Sequence, residues 1–77
     1  MDIKVSLFAN LRQYAPGGQK EFSLALPSGA TVEALLRELK MTDEVQRVTL
    51  VNGRPAKDDT RLAAGDAVAV FPPFTGG

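Results

Sequence analysis

The residues of this chain that could take part in chemistry are its last two, Gly76 and Gly77. Neither glycine has a side chain, so this end of the backbone could enter a narrow channel and present the Gly77 carboxylate to another protein. The sequence contains no cysteine and no histidine, which excludes thiol nucleophiles, Cys/His zinc sites and imidazole acid–base catalysis. The terminal carboxylate is therefore the candidate reactive group, although glycines also occur at termini that only fray.

The residues before the two glycines are expected to extend the terminus away from the folded body. Pro72 and Pro73 fix φ and lack a backbone N–H, so they should end the preceding strand and favour an extended backbone. On this interpretation residues 1–71 form one folded domain. Residues 72–77 form a flexible tail that ends in Gly-Gly.

Length and charge predict a single small domain. Its 77 residues are near the lower limit for a core that folds without disulfides or metals. Nine basic residues balance nine acidic ones, which disfavours binding to nucleic acid or to an acidic membrane surface. No apolar run approaches the roughly 20 residues that cross a bilayer, and the N-terminus has no signal-peptide pattern. We therefore expect a cytoplasmic protein with no nucleic-acid or membrane partner.

Alternation of apolar and polar residues predicts the strands that would position the tail. The Asn52-Gly53 pair predicts a tight hairpin turn, because both central positions of a type I′ turn need positive φ. The predicted strands cover residues 3–7, 21–26, 47–51, 54–56 and 67–71.

One amphipathic helix of nine or ten residues is predicted between the second and third strands. Thr31 suits the N-cap, and Glu33 lies in the first turn, where the helix dipole favours a carboxylate. This order of elements predicts an α+β fold in which a mixed sheet of four to five strands packs on one main helix. The first and last strands would lie side by side and parallel. The apolar stripe of the helix falls at i, i+3, i+4 and i+7, and consists of Val32, Leu35, Leu36 and Leu39.

The sheet face turned away from this helix is expected to carry a small apolar patch. If the first and last strands are neighbours, the patch would lead to the base of the tail and suit the docking of a partner protein. Two exposed phenylalanines are also ordinary on a protein surface, and Phe71 and Phe74 could instead fold back on the body. The predicted patch consists of Phe8, Ala67, Ala69 and Phe71.

Four stretches of the sequence resemble the MoaD/ThiS family of ubiquitin-like sulfur carriers. They are residues 3–12 (IKVSLFANLR), 31–35 (TVEAL), 51–53 (VNG) and 62–77, which ends in FPPFTGG. The closing stretch is the most specific, and it looks more like MoaD, the small subunit of molybdopterin synthase, than like ThiS, the carrier of the thiamin pathway. The resemblance covers nearly the whole chain and implies the ubiquitin-like β-grasp fold.

The resemblance also implies a mechanism. In this family an E1-like adenylyltransferase uses ATP to adenylate the terminal carboxylate, here that of Gly77, and a sulfur donor then displaces AMP to leave a thiocarboxylate. In the molybdopterin case the tail enters a large, MoaE-like synthase subunit, which transfers the sulfur to a pterin precursor of the molybdenum cofactor. The chain would bind no cofactor and would be a protein substrate and subunit, not an enzyme by itself.

Residue roles follow from the same resemblance. Gly76 and Gly77 would form the functional terminus, and the remaining positions would contact partners. Several alternatives stay open: a carrier for thiamin, tRNA thiolation or the tungsten cofactor, a ubiquitin-like modifier that forms isopeptide bonds with lysines, or a small binding domain with an incidental terminus. The expected partner-binding residues are Phe8, Ala67, Ala69, Phe71, Pro72, Pro73, Phe74 and Thr75.

Overall fold

The computed structural model describes residues 1–73. All the predicted strands and the predicted helix are present, and two short 3₁₀ helices, Ala9–Tyr14 and Pro16–Gly18, connect the first two strands. In chain order the elements are β1 (Asp2–Leu7), β2 (Glu21–Ala25), α1 (Val32–Glu38), β3 (Val48–Val51), β4 (Arg54–Pro55) and β5 (Ala67–Phe71).

The five strands form one mixed sheet in the order β2-β1-β5-β3-β4. β1 and β5 are parallel neighbours, and the other neighbouring pairs are antiparallel. A parallel pair needs a long crossover, which here contains α1 and the β3–β4 hairpin. The fold is therefore the ubiquitin-like β-grasp that the sequence predicted, with the strand that leads to the tail beside β1.

The core lies between one face of this sheet and α1. Alternate residues of β1 and β5 point to it, because successive side chains of a strand face opposite sides. The helix contributes its predicted apolar stripe, and removal of these side chains from water is the main stabilising contribution. The largest fully buried side chains are Ile3, Val5, Leu7, Val32, Leu35, Leu36, Val68 and Val70.

Both ends of α1 are capped. The Thr31 hydroxyl accepts a hydrogen bond from the Ala34 N–H at 3.3 Å, which confirms the predicted N-cap. At the other end Lys40 has a positive φ of 62°, and the Met41 N–H donates to the Leu36 carbonyl at 2.9 Å. This C-cap ends the helix after seven residues, fewer than predicted.

The β3–β4 turn is tied to the start of β5. Asn52 and Gly53 both have positive φ, at 52° and 82°, as predicted. The Asn52 side chain accepts a hydrogen bond from the Ala67 N–H at 3.0 Å and donates one to the Asp66 carboxylate at 3.0 Å. The hairpin thus holds the first residue of the tail-bearing strand.

Within residues 1–73, no helix has the length and apolar character needed to cross a membrane.

Candidate docking surface at the base of the tail

The tail is continuous with β5, a strand with neighbours on both sides. Phe71 is the last residue of β5, and Pro72 and Pro73 follow it as the last residues that the structure describes. The predicted roles of Phe74, Thr75, Gly76 and Gly77 fall outside the described residues and stay predictions.

The two aromatic residues predicted for the docking patch are in direct contact. The rings of Phe8 and Phe71 stack with centroids 4.2 Å apart and planes inclined by 9°. The backbone brings them together, because the Phe8 N–H donates to the Val70 carbonyl at 3.2 Å and so extends the contact between β1 and β5. The Lys20 ammonium group lies 4.9 Å from the centroid of the Phe8 ring, a cation–π contact.

The two predicted alanines differ in their distance from this stack. Ala69 lies on the same face, between Ser6 of β1 and Leu50 of β3. Ala67 begins β5, four residues before Phe71, which is a separation of roughly 13 Å at the rise of a strand. Ala69 is therefore part of the surface around Phe71, whereas Ala67 lies at the far end of the strand.

Two apolar residues of β3 complete the surface and were missing from the sequence prediction. Val48 is opposite Phe71 and Leu50 is opposite Ala69. Val48 is the one large hydrophobic side chain that stays exposed among residues 1–73, at 43%. The polar Thr49, in contrast, points inward and is only 6% exposed. The surface formed by Phe8, Val48, Leu50, Ala69 and Phe71 is called the outer patch below.

The sequence carried only a weak signal for these two residues. In the run Val48-Thr49-Leu50-Val51, both faces of the strand include an apolar residue, so alternation does not say which face is buried. The pairing of β3 with β5 settles this, because Val51 lies opposite the buried Val68.

The two prolines at the start of the predicted tail lie against the folded body. Pro72 and Pro73 are both half-buried, and both line a cleft of about 340 Å³ whose walls include Tyr14 and Val45. Pro73 also lines a wider cleft of about 710 Å³ bordered by Arg47 and Asp58. The last two described residues therefore lie beside two clefts.

Arg47 organises the loop beside these clefts. Its side chain is 10% exposed and pairs with the Asp58 carboxylate at 3.2 Å. It also donates to the Val45 carbonyl at 2.8 Å and to the Thr42 carbonyl at 3.4 Å. The alternation pattern predicts Arg47 at the start of a strand; in the structure it precedes β3 and links the loop to Asp58.

Comparison with known protein families identifies the family of this chain. The sequence model of the ThiS family matches residues 5–77. The chain belongs to the ThiS family. Its ubiquitin-like β-grasp fold is that of small carrier and modifier proteins, and the membership agrees with the resemblance found in the sequence.

The solved structures similar to this ThiS-family protein include a converting-factor subunit and a modifier protein. A putative molybdopterin converting factor subunit 1 from Pyrococcus furiosus is 37% identical over 95% of this chain and 98% of its own, with a TM-score of 0.81. SAMP1 from Haloferax volcanii, a small archaeal modifier protein, is 27% identical over the full length of both chains, also with a TM-score of 0.81. A search of curated proteins finds no match.

A third similar structure is a complex. It contains subunits 1 and 2 of the molybdopterin-converting factor from Helicobacter pylori. The matched chain is 18% identical to this one, with full coverage of both chains and a TM-score of 0.69. At this identity the likeness shows the fold alone.

Proposed function

We propose that this ThiS-family protein is a cytoplasmic sulfur carrier whose Gly77 carboxylate becomes a thiocarboxylate. The observation that carries the proposal is the position of the outer patch around Phe71, where β5 leads into the tail. A partner that binds this patch would receive the following residues in its own active site. Docking would thus supply the positioning that an acyl transfer requires, since reacting atoms must approach to roughly 3–3.5 Å.

Activation would proceed in two steps. An oxygen of the Gly77 carboxylate attacks the α-phosphorus of ATP on an E1-like adenylyltransferase, and pyrophosphate leaves. Hydrosulfide supplied by the sulfur donor then attacks the acyl carbon, AMP leaves with the bonding electrons, and loss of the S–H proton leaves a thiocarboxylate on Gly77. Neither step uses a cysteine or a histidine of the carrier, which has neither.

We further propose that the acceptor is a pterin precursor of the molybdenum cofactor, and that this chain is the small subunit of a molybdopterin synthase. The 37% identity to the Pyrococcus furiosus converting-factor subunit supports this choice. The large, MoaE-like subunit would cover the outer patch and the two prolines. Phe74 and Thr75 would line its channel, with Gly76 and Gly77 at the reacting end.

Protein modification is the second candidate. The similarity to SAMP1 over the full length of both chains favours it. A modifier and a sulfur carrier share the acyl adenylate, but the modifier would pass Gly77 to a lysine amine. Sulfur carriers for thiamin, tRNA thiolation or the tungsten cofactor share the thiocarboxylate and differ only in the acceptor.

The deciding experiment is the intact mass of the full chain after incubation with a purified E1-like adenylyltransferase, ATP and a sulfur donor. Exchange of one oxygen for sulfur at Gly77 is the result expected of a carrier. The controls are a chain without Gly77 and a chain with one extra residue after it, neither of which should gain sulfur. An unchanged mass together with lysine-linked adducts would favour the function of a protein modifier over that of a sulfur carrier.

The acceptor is tested with the thiocarboxylated chain. Mixed with a purified MoaE-like subunit and the pterin precursor, it should form a complex and lose its sulfur to the pterin. If the chain kept its sulfur in that mixture but transferred it in a thiamin or tRNA thiolation assay, the protein would be assigned to the pathway of that assay.

A further inference from the structure

The sheet has two edge strands, and they differ in how well they are protected. An edge strand exposes backbone N–H and C=O groups that can pair with another chain. β4 is only two residues long and contains Pro55, and both features oppose pairing. β2 is five residues long and contains no proline, and its register with β1 runs without a bulge from Glu21 to Ala25.

The hydrogen bonds that flank β2 show which of its backbone groups are open. The Leu26 N–H donates to the Met1 carbonyl at 2.9 Å, and the Leu7 N–H donates to the Lys20 carbonyl at 2.8 Å. Bonded and non-bonded pairs alternate in an antiparallel ladder, so the even-numbered residues of β2 bond to β1. The N–H and C=O groups of Glu21, Ser23 and Ala25 point to the free edge, and all three residues are exposed.

We propose that β2 pairs antiparallel with β2 of a second copy of this chain, about a two-fold axis at Ser23. In this register Ser23 faces Ser23 of the second copy, and Glu21 faces Ala25 of the second copy. Every residue with open backbone groups then meets another such residue, and each pair can exchange two hydrogen bonds. A two-fold interface needs this kind of self-complementary strand.

The side chains fit the same register. Phe22 and Leu24 are half-buried and pack against the core, and the two-fold would put Phe22 opposite Leu24 of the second copy. An aromatic ring opposite an aliphatic side chain is a favourable cross-strand pair. The one charged residue of the strand, Glu21, meets an alanine, so no like charges oppose each other. This match of charge and apolar pairs within one strand favours a second copy over an unrelated peptide.

This association is independent of the proposed sulfur chemistry. β1 lies between β2 and β5 in the sheet, so a second copy at β2 leaves the outer patch and the tail open. An interface of one five-residue strand falls in the small size class below about 1,200 Å², which is typical of weak, transient contacts. We therefore expect a dimer that forms only at high protein concentration.

The test is sedimentation equilibrium of the full chain from about 10 μM to about 1 mM, a range suited to a weak interface. The weight-average mass should rise from 8.2 kDa toward twice that value. Ser23→Lys and Ser23→Glu should each stay at the monomer mass, because like charges would face each other. An equal mixture of the two variants should regain the dimer, since opposite charges then meet. Ser28→Lys, the same change in an exposed loop, should associate like the original chain.

Amide hydrogen exchange on the unmodified chain gives a second measurement that needs no variant. Protection of the Glu21, Ser23 and Ala25 amides should increase with concentration while the amides of β4 stay unchanged. A monomer mass at every concentration would overturn the proposal. Dimerisation of both single variants at the original strength would also overturn it and would assign the contact to another surface, such as the outer patch.

Discussion

At the scale of single residues, the outer patch combines structural and binding contributions that can be separated. Phe71 is half-buried and stacks on Phe8, so it stabilises the end of β5 as well as presenting an apolar surface. Val48 lies opposite Phe71 but is 43% exposed. A substitution at Val48 therefore tests docking with less effect on folding.

We expect Val48→Arg to weaken binding of the proposed large synthase subunit by about tenfold or more, because a guanidinium group would be moved from water into an apolar interface. The thermal midpoint should shift little. Titration calorimetry and thermal denaturation measure the two effects. Ala64→Arg is the matched control, since Ala64 is exposed near the opposite end of β5. Unchanged binding by Val48→Arg would remove the outer patch from the docking model.

Phe71→Arg should weaken the same binding and also lower the free energy of unfolding. The stack on Phe8 is expected to contribute about 0.5–1.5 kcal/mol beyond the area it buries. Urea denaturation of Phe71→Ala, Phe8→Ala and the double variant would measure the coupling without placing a new charge on the Phe8 ring. If the two single effects simply add, the rings do not stabilise each other.

At the scale of elements, the turn between β3 and β4 and the segment before β5 stabilise each other through Asp66. Its carboxylate accepts hydrogen bonds from the Ala63 backbone N–H at 2.8 Å and from the Asn52 side chain at 3.0 Å. The hydrogen bond from Ala63, and to a smaller extent the one from Asn52, holds the pKa of Asp66 below its ordinary value. The charged carboxylate is thus favoured in the folded state.

This pKa gives the protein an acid-dependent stability. The folded pKa lies below the unfolded one, so the contribution is complete above the unfolded pKa, near pH 4, and is lost as the pH falls through the folded value. We expect Asp66→Asn to lower the thermal midpoint at pH 7 and to differ less from the original chain near pH 2. Asp59→Asn, a change of an exposed residue in the turn that also contains Asp58, serves as the control. If the thermal midpoints of Asp66→Asn and the original chain differed by the same amount at pH 7 and at pH 2, the Asp66 carboxylate would not be the source of this pH dependence.

The C-cap of α1 offers a stabilising change. Lys40 has a φ of 62°, a left-handed conformation that costs a residue with a Cβ about 1–2 kcal/mol. Glycine adopts it without this cost but loses more entropy on folding. We therefore expect Lys40→Gly to raise the free energy of unfolding by up to about 1 kcal/mol, with no gain from Lys40→Ala. A lower midpoint for the glycine variant in urea denaturation would contradict this account.

At the scale of the whole molecule, folding and the proposed chemistry depend on different parts of the chain. The buried core of the described region extends from Ile3 to Val70, whereas the proposed reactive group is at Gly77. Changes in the two parts should have separate consequences.

We expect Leu35→Ala to cost about 2–5 kcal/mol, because Leu35 is fully buried and the change leaves a cavity. That is a large fraction of the stability of a small domain. Deletion of Gly77 should leave the urea midpoint unchanged and abolish thiocarboxylate formation. Chemical denaturation and intact mass distinguish the two variants. Loss of folding on deletion of Gly77 would show that the tail is part of the fold.

Local sequence patterns are sufficient to predict the elements and most of their burial. Alternation over residues 3–7 and 67–71, the spacing of Leu35, Leu36 and Leu39, and the Asn52-Gly53 pair each express a local rule, and the structure follows all of them. The β-grasp order also followed from the sequence, because few topologies accommodate one helix in a long crossover. The role of Gly77 was likewise a sequence prediction, and it lies outside the described residues.

The assembly of the surface at the base of the tail depends instead on long-range packing. The stack of Phe8 on Phe71 and the outward position of Val48 depend on the register of β5 with its two neighbours. The burial of Arg47 depends on a carboxylate 11 positions away, in the loop that carries Asp58. Such contacts join residues distant along the chain, and a register shift of one residue would reverse the face of every side chain in a strand. Local patterns specify which residues alternate, but the packed sheet determines which of them meet.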